Sequence, residues 1–171
     1  MSGHVQDVIV SGVQRRRSLA AAAFFVAAFL IAPAGAGSKL VLQRAIAGVE
    51  LHMTKPQVRA VLGRPTRIRT GTNPGGPFTQ FVYPRVTVEF QRVPTVTALR
   101  TSSRLERTTA GVGVGSTEAE VKAAAPHVAC DDWSGHRQCI LGKLRPGLVV
   151  TVFAIRGGRV SNIIVGIVQH S

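Results

Sequence analysis

The segment Gly48–Ala60 can be laid over Gly111–Ala123 at a constant offset of 63 residues, and this self-similarity constrains the fold more than any other feature of the chain. Gly48 and Gly111, Val49 and Val112, Thr54 and Thr117, Val58 and Val121, and Ala60 and Ala123 coincide, while Leu51 falls on Val114. Both copies carry the same helix-start chemistry. Thr54 with Gln57, and Thr117 with Glu120, have capping-box spacing: the hydroxyl accepts from the third helical amide, and the longer side chain returns to the cap amide. Pro56 sits in the first turn, where a missing N–H costs nothing. The pattern predicts short helices over Lys55–Leu62 and Glu118–Ala125, ended by Gly63 and by Pro126.

Strand patterns follow each helix. Val86–Phe90 alternates with period two and maps by the same offset onto Val149–Phe153; Val96–Leu99 matches Val160–Ile163 with one residue gained. Arg156-Gly157-Gly158-Arg159 has a tight-hairpin composition. Each copy reads as a helix followed by a three- or four-stranded antiparallel meander. The expected class is α+β, with one repeat over 37–110 and a second over 111–171. A lone unit of this size is marginal, so the copies are expected to share one core, Val86, Val88 and Phe90 with Val58 and Leu62, and Val149 and Phe153 with Val121 and Ala124.

The stretch Leu51–Pro65 resembles the "LGMT-x-x-x-V-x-x-x-LG-x-P" opening of SmpA/OmlA (BamE-like) proteins. The doubling resembles the tandem arrangement of β-lactamase-inhibitor-protein-like (BLIP-like) domains. The resemblance implies a small α+β envelope protein that binds another protein, either in envelope assembly or as a secreted enzyme inhibitor.

The N-terminus points the same way. Arg15, Arg16 and Arg17 precede an uncharged apolar run, Leu19–Ala32, and then Pro33-Ala34-Gly35-Ala36. A basic, an apolar and a small-residue region in that order form a secretion signal, with cleavage expected after Ala36 and a retained anchor as the alternative. No Cys near that site could take a lipid. The chain carries a net charge of +13, and +11 once the three arginines and one aspartate of residues 1–36 are removed. That surplus is either a solvated surface or an attraction to polyanionic wall polymers or lipid headgroups. Nucleic acid is not an expected partner, because export removes the usual targets and aromatic residues for base stacking are few.

Cys130 and Cys139 are the only cysteines. In an oxidising compartment a disulfide across a hairpin tip at Trp133–Gly135 is the simplest reading. His127, Cys130, His136 and Cys139 also have the composition of a tetrahedral zinc site. Against zinc stand the short loop and the absence of counterpart ligands in the first copy.

No catalytic constellation emerges. Asp131 and Asp132 are adjacent carboxylates in a turn, and Ser134 and His136 are too close in sequence for a triad. Gly111-x-Gly113-x-Gly115 before a helix could cradle a phosphate but lacks a lysine and a βαβ setting. The expectation is a non-enzymatic exported module without cofactor or metal. Its partner is another envelope or extracellular protein, with a polyanionic surface as a second. Tyr83, Arg85, Trp133 and Arg137 are the candidate partner contacts; Phe81 is the aromatic most suited to core packing.

Overall fold

The structure, a computed structural model, describes residues 40–133 and 135–169; the expected secretion signal over 1–36 and Ser134 lie outside them. The described elements are β1 (Ala45–Ile46), β2 (Val49–Glu50), α1 (Lys55–Leu62), β3 (Arg67–Asn73), β4 (Gly76–Val82), β5 (Thr87–Gln91) and β6 (Ala98–Thr101), followed by α2 (Glu118–Ala124), β7 (Ala129–Trp133), β8 (His136–Leu141), β9 (Val149–Arg156) and β10 (Arg159–Ile167).

Both helices start as their cap residues dictate. The Thr54 amide donates to Gln57 Oε1 at 2.8 Å, the Thr117 amide donates to Glu120 Oε2 at 2.7 Å, and each threonine hydroxyl accepts the reciprocal bond. Such a cap is worth about 0.5–2 kcal/mol, which matters for helices of 8 and 7 residues. The β9–β10 hairpin turns on Gly157 and Gly158, both at positive φ, as a type I′ turn requires.

Eight strands form one antiparallel sheet in the order β3-β4-β5-β6-β10-β9-β8-β7. The sheet is continuous because β6 and β10 pair at its centre, with Leu99 opposite Val165 and Thr101 opposite Ile163. The inner register row, Phe81, Val88, Leu99 and Val165, crosses from β4 to β10. All four side chains are buried and join Val58 of α1 and Val121 of α2 in one apolar cluster. Phe90, Val86 and Phe153 belong to the same cluster, with Leu62, Ala124 and Val149 at its margin. The β1–β2 hairpin is tied to β9, because the Gln43 amide donates to Thr151 Oγ1 at 2.7 Å.

Two expectations are corrected. The class is predominantly β, one eight-stranded sheet with only two short helices, and not α+β tandem helix-plus-meander repeats. The resemblance to BamE-like and BLIP-like folds falls with it. The helix starts carried that reading because capping chemistry is local and easily seen. Most of the fold lies instead in strand pairing, including β3 and β4, which that reading did not place.

Candidate binding face of the sheet

Side chains alternate across a strand, so register assigns every residue to one of two faces. The inner face holds the core. On the outer face a single row crosses all eight strands: Arg67, Val82, Thr87, Arg100, Ile164, Val152, Ile140 and Ala129. Its apolar members Val82, Ile164, Val152 and Ile140 are half-buried, while Arg67 and Arg100 are exposed. The next row passes through Gln80 and Glu89, whose side chains bond at 2.6 Å, to Ala98 opposite Gly166. Small residues therefore occupy the two central strands. Towards the β3 edge Phe78 lies across Gly71, where an added Cβ would come within 2.9 Å of its ring. Towards the β7 edge Trp133, Ile140 and Leu144 line a hollow of about 280 Å³.

This face departs from what a solvated antiparallel sheet requires. A strand with one wet face alternates apolar and polar residues; a strand covered on both faces reads as a continuous apolar run. Ile163-Ile164-Val165-Gly166-Ile167 and Val149-Val150-Thr151-Val152-Phe153-Ala154 are near-continuous. Inner positions Ile163, Val165 and Phe153 are buried in the core, whereas Ile164 and Val152 stand on the outer face. Sequence reasoning missed these outer residues, although the lack of alternation was the signal for them.

The expected partner contacts disperse. Phe81 is 1% exposed and packs edge-on to Phe90 at 5.0 Å between ring centroids. Tyr83 is also buried, and its hydroxyl donates to the Gly63 carbonyl at 3.2 Å. Burial raises the Tyr83 pKa, with the nearby Arg59 charge opposing. Arg85 pairs with the fully buried Glu106. Arg137 grips Glu118 at the start of α2, Nε to Oε2 at 3.0 Å and Nη2 to Oε1 at 2.8 Å. These hydrogen bonds, then the one from Lys122, hold the Glu118 carboxyl down at about 2. Of the four candidates, Trp133 alone is exposed on the outer face, at 54%. Tyr83, Arg85 and Arg137 are held by internal contacts.

Cys130 and Cys139 are bonded to each other, directly opposite in the β7–β8 register. Both sulfurs lie within 4.8 Å of a Glu118 carboxylate oxygen. Bonded sulfurs are not thiolates, so the zinc alternative with His127 and His136 has no sulfur ligands left. Asp131 and Asp132 fall on opposite faces of β7, which separates the two carboxylates; Asp132 turns towards Arg137 at 3.6 Å. Among the described residues no helix is long and apolar enough to cross a membrane.

No family model matches the chain, and no curated protein matches it. Two solved structures are similar to it. One is an extracellular protein containing a SCP domain from Bacillus anthracis str. Ames, at 9% identity and a TM-score of 0.49, covering 68% of this chain and 43% of that one. This chain thus spans less than half of that structure's length. The other is a DUF4309 family protein (YjgB) from Bacillus subtilis subsp. subtilis str. 168, at 16% identity and a TM-score of 0.46, covering 76% of this chain and 88% of that one. At this level of likeness neither carries an argument about what this chain does.

Proposed function

We propose that this protein is an exported, non-catalytic module that binds another protein through the outer face of its sheet. The observation that carries the reading is the apolar row Val82, Ile164, Val152 and Ile140 on a face that the described helices leave uncovered. Flanking arginines Arg67, Arg69 and Arg100 suit a partner with acidic groups around an apolar centre. The basic–apolar–small leader and the disulfide support an exported setting.

The test is site-specific photo-crosslinking in the producing cell. A photoreactive side chain at Val152 or Ile164 is expected to give one discrete protein adduct, and one at Val61 on exposed α1 none. An adduct from Val61 with none from the sheet would overturn the reading.

A further inference from the structure

Away from the sheet face, a pocket of about 640 Å³ opens between the Gly111–Ser116 turn and α2. Val112, Val114 and Ala124 form its apolar wall; Arg104 and Arg107 reach it from the segment between β6 and α2, and Arg159 from the start of β10. Arg107 Nη1 donates to the Gly111 carbonyl at 2.7 Å, and Arg159 Nη1 donates to the Gly115 carbonyl at 2.9 Å. Arg104 runs beside Gly115, its Nε 3.9 Å from where a Cβ would stand. These contacts fix two guanidiniums and leave most of their five donors open. Among the described residues, none of the three is ion-paired with a carboxylate.

The glycine run singled out in the sequence therefore lines an arginine pocket, but its amides are not the anion ligands. The Gly111 amide donates to Thr108, the Gly113 amide to Ser116 Oγ, the Gly115 amide to Val160 and the Ser116 amide to Gly113. Any anion here is held by side chains. Glu120, the one carboxylate in the lining, is engaged by the Thr117 amide and hydroxyl, which hold it below the usual carboxylate range, with Arg159 and Arg107 adding to the effect. Three positive charges, two of them held in place, against one negative leave a surplus of two beside an apolar wall, where field is concentrated.

We propose that Arg104, Arg107 and Arg159 form a binding site for a phosphate group, free or as a monoester. Planar guanidiniums match phosphate oxygens in pairs, and a surplus of two positive charges matches the dianion. The apolar wall leaves room for a small ester substituent. The site is independent of the outer sheet face.

The experiment titrates the full-length, disulfide-bonded chain with inorganic phosphate while observing arginine Nε–H resonances. Saturable shifts are expected for Arg104, Arg107 and Arg159, and none for the exposed Arg64 or Arg145. Arg107→Gln with Arg159→Gln should weaken phosphate binding at least tenfold, and Arg64→Gln with Arg145→Gln, both exposed and outside the pocket, should leave it unchanged. A second arm measures sedimentation with phosphatidic acid vesicles against phosphatidylcholine vesicles. Vesicle binding that needs the same arginines assigns a lipid headgroup; phosphate binding without vesicle binding assigns a soluble phosphate. Either result supports the site. No saturable shift at the three arginines, or equal loss in the Arg64 and Arg145 variant, would overturn it. The wild-type titration decides the question even where the pocket variant does not fold.

Discussion

The Arg85 guanidinium meets the Glu106 carboxylate, which is 0% exposed, and so ties the β4–β5 turn to the segment between β6 and α2. A buried carboxylate must be paired, because its desolvation is otherwise uncompensated. Arg85→Ala should therefore destabilise the protein by about 3–5 kcal/mol, the usual cost of stranding one partner of a buried pair. Arg85→Met with Glu106→Leu should recover most of that loss in a denaturant titration.

Glu118 supplies a pH dependence whose sign follows from its environment. Bonds from Arg137 and then Lys122 lower its pKa from 4.5 to about 2 in the folded protein. The stabilisation is present above the unfolded value and is lost as pH falls from near 4.5 through about 2. Melting temperature should drop over that window in the native chain. Glu118→Gln should flatten that part of the profile.

The Cys130–Cys139 bond closes a short loop at the free edge of the sheet. Its loss by Cys130→Ala with Cys139→Ala should cost about 2–3 kcal/mol from loop-closure entropy. Equilibrium unfolding of oxidised and substituted protein measures the difference.

Phe90 is 2% exposed and packs on Phe81 within the cluster that also holds Phe153. Phe90→Ala should cost about 3–5 kcal/mol. Because one core serves both ends of the described chain, near-ultraviolet signals from the α1 side and from the Trp133 side should melt together at the lowered temperature. Two separated transitions would count against a shared core.

How much of this was legible in the chain depends on whether the determinant is local. The starts of α1 and α2 were readable because a threonine and a Gln or Glu three residues later cap a helix on their own. The β9–β10 turn was readable from Gly157-Gly158. Strand β3 was not, because Arg67-Ile68-Arg69-Thr70-Gly71-Thr72-Asn73 lies exposed at an edge and carries no apolar face. The class itself was misread because the pairing of β6 with β10 joins residues some 62 to 68 positions apart, which no local pattern reports. Tyr83 could have been placed correctly: it continues the alternation of Phe81 and belongs inside. Arg137 could not, since its partner Glu118 arrives through the packing of α2 on the sheet.

The central claim is that the outer sheet face binds a protein partner, and Ile164→Arg tests it most directly. Ile164 is half-buried on that face, opposite Val152 and Arg100. With photoreactive Val152 as the reporter, the substitution should reduce adduct yield at least tenfold, while Val61→Arg on α1 leaves it unchanged and melting temperatures show both variants folded. Undiminished adduct in folded Ile164→Arg protein would contradict the account.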